Sequence, residues 1–224
     1  QYPRGLRDDC SRAYPAAENT GVDMSVQIND LELLDAVRDF GLGQTDPAVE
    51  KFKPAITDWG DEWIDVGQAY LPAADLLADA IATANTHTRG LLETFARHKD
   101  RLYWEQSYKK EDGVVSDAML AAYGFAEILG QRGPFISDRI RAGIGIYGPN
   151  IVYPRHRHQA EEIYIVLAGA AEFTIDTAEA TMRTTGDVIN IESNTPHGFR
   201  TTDQSLVIYY LWQAGDLRQI SSFG

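Results

Sequence analysis

Two histidines one position apart, His156 and His158, stand near the start of the segment YPRHRHQAEEIYIVLAG, residues 153–169. On an extended strand this i, i+2 spacing puts both imidazoles on one face. Glu162 follows after three residues, a gap short enough for a turn to swing its carboxylate back toward them. Tyr164 lies two further on, and on a strand it points to the same side as Glu162. His197 arrives later, after Gly186-Asp187 and the run IESNTPH. Three imidazole nitrogens and one carboxylate oxygen form a donor set for a divalent transition metal, with iron, zinc, manganese, nickel and cobalt all admissible. A lone HxH carries little weight, because imidazole often serves as a plain polar group. The ordered set of four carries the reading. Tyr164 beside a cation is also a candidate base: a phenol with a pKa of about 10 is poorly suited to neutral pH, but a nearby positive charge favours tyrosinate.

The order H-x-H-x3-E-x6-G, then a strand-patterned interval, G-D and P-H resembles the two-motif signature of the cupin superfamily. Here it reads His156, His158, Glu162 and Gly169, then Gly186, Pro196 and His197. The resemblance implies a mostly β fold, a small antiparallel barrel of the jelly-roll or double-stranded β-helix kind, with the metal inside its mouth. Asn150 stands where the pattern has glycine, Glu192 where proline is common and Thr201 where asparagine is common; none of these positions supplies a ligand. Tyr153 three residues before the first histidine, the pair Glu161-Glu162, Tyr164, and the aromatic run IYYLWQAGDL at 208–217 narrow the likeness. Over roughly residues 120 to 217 the chain resembles the cupin lyases of marine bacteria that cleave dimethylsulfoniopropionate into dimethyl sulfide and acrylate.

That resemblance implies a carbon–sulfur lyase working by β-elimination on a small zwitterionic sulfonium substrate. Its carboxylate would sit on the metal, which spreads the charge that develops when the weakly acidic alpha proton leaves. Tyr164 matches the tyrosine that takes this proton in the family. A sulfonium has no hydrogen-bond donor, so aromatic faces are its natural partners. Tyr153, Tyr210 and Trp212 are the expected substrate contacts, with Tyr209 a further candidate; strand alternation forbids Tyr209 and Tyr210 from both facing inward. Glu161 would replace Glu162 as ligand if the turn differed by one residue. Two other readings share the same ligands: an Fe(II)-dependent cupin dioxygenase, and a non-catalytic small-molecule-binding cupin, which would need no base beside its metal.

The elements that must position this set fall into three stretches. Residues 1–28 carry prolines and charges with little periodicity and read as a loosely ordered arm. Residues 29–102 read as helical: a helix over 29–40 with Asn29 as cap and Glu32 completing a capping box, a second over 47–66, and a third from Pro72 to about residue 95. His87 and His98 lie there without carboxylates at ligand spacing and read as surface or packing residues. This helical portion is expected to shield the barrel or to build an oligomer contact. The barrel is expected over 103–224, with strands at 140–147, 163–167, 171–175, 188–191 and 205–212 separated by turn signals. Residues 116–123 read as a short helix, and 125–129 fit strand or helix equally. The stretch 163–167 is apolar on both faces, as a strand buried between two layers would be.

Bulk properties bound the partners. The net charge of −13 over 224 residues argues against nucleic acid, since phosphate would be repelled at long range. Cys10 is the single cysteine, so no internal disulfide framework exists. The sequence has no apolar run long enough to span a membrane and no secretory h-region near its start, and a cytoplasmic location is expected. Position 1 is glutamine, so the chain is expected to be trimmed or to begin naturally at Met24. The sequence leaves the oligomeric state open, a homodimer being the commonest case.

Overall fold

The computed structural model describes residues 24–219 and 221–223. Of the arm expected over 1–28, residues 1–23 lie outside the described residues. Residues 24–28 instead belong to a helix, α1 (Met24–Leu42). The expected cap, Asn29, therefore sits inside a helix rather than at its start. Nothing between Met24 and Asn29 breaks a helix, and a cap preference is a local term that packing of Leu33, Leu34 and Val37 overrides.

The stretch 47–66 also departs from expectation. It holds two short helices, α2 (Pro47–Glu50) and α3 (Lys53–Thr57), followed by extended chain. Pro54 falls in the first turn of α3, where its missing N–H costs nothing, and so restarts the helix there. Gly60, in a left-handed conformation at φ +80°, follows its end. Trp63 then bridges to Phe135 instead of continuing a helical face. The third expected helix is likewise broken. After α4 (Leu76–Ala80), the Asn85 side chain accepts from the amides of His87 and Thr88, and the chain restarts as α5 (Arg89–His98). Ser116 caps α6 (Asp117–Ala122) by accepting from the Met119 amide.

Among the described residues twelve strands follow or interleave: β1 (Trp104–Glu105), β2 (Tyr123–Gly130), β3 (Phe135–Ile136), β4 (Ile140–Tyr147), β5 (Val152–Arg157), β6 (Glu161–Ala168), β7 (Ala170–Ile175), β8 (Thr181–Thr184), β9 (Val188–Ile191), β10 (His197–Thr201), β11 (Leu206–Gln213) and β12 (Ser222–Phe223). The ambiguous stretch 125–129 is strand. One sheet runs β1-β2-β4-β11-β6-β9, with β3 added beside β2; the other runs β12-β5-β10-β7-β8. This is the antiparallel barrel that the resemblance implied, with helices added at its N-terminal side.

Alternation divides the large sheet's side chains between two cores. Ile144, Ile146, Ile163, Ile165, Leu167, Val207 and Tyr209 face outward and pack with the buried residues of α1, α3, α4 and α5. Tyr147, Tyr164, Val166, Ile208 and Tyr210 face inward with Phe173 and Phe199 of the smaller sheet. Hence the stretch 163–167 is apolar on both sides because helices cover one face and the barrel interior the other. Hydrogen bonds also tie the layers together, among them Tyr209 Oη to the Val37 carbonyl at 3.2 Å and Thr88 Oγ1 to the Leu167 carbonyl at 2.7 Å.

Candidate active site

The HxH segment ends β5, so His156 points into the barrel from a strand and His158 from just beyond it. In the turn that follows, the chain reverses into β6, which brings Glu162 to the barrel end where the histidines lie. His197 opens β10 and stands opposite His156 in the antiparallel register. All three histidines are at most 2% exposed, and they offer ring nitrogens within 4.8 Å of one another. Glu162 is 1% exposed; its Oε2 lies 3.0 Å from His158 Nε2 and 3.2 Å from His197 Nε2.

Backbone carbonyls fix the tautomers. His156 Nδ1 lies 2.9 Å from the Pro154 oxygen, His158 Nδ1 3.0 Å from the Ala160 oxygen, and His197 Nδ1 2.8 Å from the Thr195 oxygen. A carbonyl can only accept, so each Nδ1 donates and each neutral ring turns a bare Nε2 lone pair inward. Three lone pairs and a carboxylate then converge with no proton donor of their own. A cation answers that arrangement, and oriented imidazoles of this kind are what metal-binding histidines require. Burial, reinforced by the neighbouring His197, pushes His156 down to about 3, so it stays neutral and able to ligate. For Glu162, burial alone would raise the carboxyl; when His158 and His197 carry a second proton, on Nε2, their charge and hydrogen bonds outweigh burial and hold it below the ordinary range. The residues present fit a divalent metal.

Other expected site residues gather around the same cavity, which has about 550 Å³ of space including its mouth open to solvent. Tyr164 reaches it from β6, its ring centroid 6.1 Å from that of His197. Burial first, and then the Glu162 carboxylate, push this phenol well above its usual value. Tyr153 lines the cavity with its ring stacked on Phe199 at 5.0 Å and set edge-on to His156 at 5.1 Å. Tyr210 faces inward and Tyr209 outward, as alternation demands. Among the described residues Tyr210 Oη is buried without a hydrogen-bond partner. Trp212 is engaged differently: its indole N–H donates to Glu162 Oε1, its ring stacks on His158 at 3.9 Å, and the Arg141 guanidinium lies 4.6 Å from its centre.

Glu161 points elsewhere, its carboxylate 3.3 Å from Lys51 Nζ, so the one-residue turn variant does not occur. His87 pairs with Gln44 at 2.9 Å and His98 with Glu32 at 2.9 Å, both in the helical portion.

Phe125, Arg141 and Tyr147 also line the cavity, and the sequence reading passed over them. For Arg141 and Tyr147 the signal lies in the alternation of β4, whereas Phe125 comes from β2. Arg141, Gly143, Gly145 and Tyr147 face the cavity, while Ala142, Ile144 and Ile146 face the helices. A charge and two glycines on one face of an otherwise apolar strand mark a place where other groups approach closely. At Gly143 a β-carbon would lie 2.2 Å from the Ala126 carbonyl oxygen and 2.7 Å from Tyr210 Oη. Only glycine leaves room for that hydroxyl.

The profile of the dimethylsulfoniopropionate lyase family matches residues 51–208, well over half of the chain. The chain belongs to this family. Dimethylsulfoniopropionate lyase DddQ of Ruegeria pomeroyi is 39% identical over 90 residues, 40% of this chain and 44% of that protein. A Cereibacter sphaeroides protein bearing the name dimethylsulfoniopropionate lyase DddL is 33% identical over 132 residues, 58% of this chain and 53% of that one. The chain thus spans about half the length of the curated relatives it matches. The crystal structure of the Ruegeria pomeroyi DddQ enzyme superposes with a TM-score of 0.75 at 25% identity, covering 90% of this chain and 97% of that one. The family member described here is a cupin barrel with an α-helical N-terminal extension. Among its described residues no helix is long and apolar enough to cross a membrane.

Proposed function

We propose that this chain is a metal-dependent dimethylsulfoniopropionate lyase. The observation that carries the proposal is the convergence of three carbonyl-oriented imidazoles and Glu162 on one end of a cavity lined by Tyr164, Tyr153 and Tyr210. His156, His158, Glu162 and His197 hold the ion, whose identity among iron, zinc, manganese, nickel and cobalt the donor set leaves open. When bound, the ion acts as a Lewis acid toward the substrate carboxylate, and its charge opposes the burial that keeps Tyr164 protonated.

The chain's own groups do the rest. Tyr164, as phenolate, takes the alpha proton onto its Oη. The C–H electron pair becomes the Cα–Cβ double bond, the Cβ–S bond breaks toward sulfur, and acrylate and dimethyl sulfide result. Tyr153 and Tyr210 offer aromatic surface to the sulfonium, an attraction of about 0.5–2 kcal/mol per ring depending on how dry the site is. Trp212, expected as a third such contact, already has both its ring and its N–H engaged by protein groups, so its part in holding substrate is the smaller one.

The test is headspace gas chromatography of metal-loaded protein with dimethylsulfoniopropionate, run without oxygen. Wild type should release dimethyl sulfide, and Tyr164→Phe should lose on the order of 10²-fold or more in rate, the usual weight of general-base catalysis. No release from wild type with any of the five metals would sink the lyase reading. Release only in the presence of oxygen would favour the dioxygenase. Equal release by both forms would move the base elsewhere, with Tyr153 next.

A further inference from the structure

Behind the ligand cluster lies a buried ion pair that the reaction itself does not use. Arg141 on β4 and Glu127 on β2 have side chains 7% and 1% exposed and meet through Arg141 Nε and Glu127 Oε2 at 2.5 Å. Burying two charges carries a desolvation penalty that their mutual attraction often only just offsets, so such a pair is a poor explanation of stability alone. Its surroundings point to another role. Arg141 Nη1 donates to the Leu217 carbonyl at 3.1 Å, and Glu127 Oε1 accepts from the Arg132 amide at 2.6 Å. The guanidinium is thereby held from two sides, and it lies over the Trp212 ring.

The register turns these contacts into a line. Trp212 stands directly opposite Arg141 on one side and directly opposite Glu162 on the other. Its indole N–H donates to Glu162 Oε1, leaving Oε2 to face His158 and His197, and its ring stacks on His158. One aromatic plane therefore sets the direction of the carboxylate and braces an imidazole. That plane is itself held by a guanidinium whose own orientation Glu127 and Leu217 fix.

We propose that Glu127 and Arg141 are positioning residues for the metal site, acting through Trp212 on Glu162 and His158. The inference rests on the reading of the cluster as a metal site, and it concerns metal binding rather than the elimination. Groups that orient ligands in this way commonly change metal affinity by roughly 10–100-fold.

The experiment measures Co(II) and Zn(II) affinity by competition with a chromophoric chelator, together with the visible spectrum of the Co(II) form. The proteins are wild type, Trp212→Phe, the paired variant Glu127→Gln/Arg141→Met, and the combination of all three changes. The paired variant removes both charges together and leaves no lone buried ion, and Trp212→Phe keeps the ring while removing its N–H. Both should fold, bind metal at least about 10-fold more weakly and show an altered Co(II) spectrum. The triple variant should lose little more than the worse of the two, because the changes act through one group. Wild-type affinity in a folded paired variant would overturn the proposal, and so would fully additive losses. Wild type that binds neither metal would instead remove the metal reading on which it rests.

Discussion

At the scale of the residue, the decisive feature is the direction of three hydrogen atoms. Each histidine gives its Nδ1 proton to a nearby carbonyl, and the carbonyls of Pro154, Ala160 and Thr195 lie within two residues of the rings they fix. Each orienting carbonyl is therefore local in sequence to the ring it fixes, although the rings themselves meet only when the barrel closes. His197→Ala should weaken metal binding by more than the roughly 10–100-fold typical of outer partners, with the protein still folded by circular dichroism. Retained stoichiometric metal after dialysis would mean that His197 is not a ligand. Tyr164 shows the opposite dependence. Its place on the Glu162 side of β6 is legible from alternation, but its protonation is not, because burial and the Glu162 carboxylate work against the tyrosinate that the chemistry needs.

At the scale of the element, β4 makes the cavity. Its alternation was readable as that of a strand, yet which face looks inward depends on the helices that claim Ile144 and Ile146. A β-carbon at position 143 meets backbone on one side and the Tyr210 hydroxyl on the other, and neither can yield without moving a strand or a cavity wall. Gly143→Val should therefore cost about 1–3 kcal/mol, the usual range for overpacking, read from urea unfolding. A variant as stable as wild type would show that β4 moves freely there. The helices failed to match their expected bounds for a related reason. Local cap and periodicity signals at Asn29 and over 47–66 compete with packing, and Pro54 and Gly60 interrupt what the spacing of Phe52, Ile56 and Trp59 proposes.

At the scale of the whole molecule, the helical portion and the large sheet share one core. Leu34 of α1 is 1% exposed within it, and Leu34→Ala should cost about 2–5 kcal/mol, as deletions in a well-packed core do. If helices and barrel are one cooperative unit, near-ultraviolet and far-ultraviolet circular dichroism should report a single coincident transition. Two separated transitions would show that the layers unfold independently. On the proposed reading, metal couples to the same equilibrium, because the four proposed ligands come from β5, the turn after it, β6 and β10 and converge only when the barrel closes. Free metal at a hundred times its dissociation constant should stabilise the fold by about 2.7 kcal/mol, and excess chelator should lower the melting temperature accordingly. A melting temperature indifferent to chelator would argue that no metal is held in the folded state.

From the sequence alone came the candidate donor set, the strand that carries it, the barrel class and the family likeness, because these rest on spacings of a few residues and on period-two alternation. Tertiary structure alone decided that Glu161 turns to Lys51, that Trp212 serves Glu162 and His158 before any substrate, and that Arg141 and Glu127 lie behind it. The contacts among Glu127, Arg141, Trp212 and Glu162 join β2, β4, β11 and β6, strands far apart in the chain, and only the register of the assembled sheet brings them side by side.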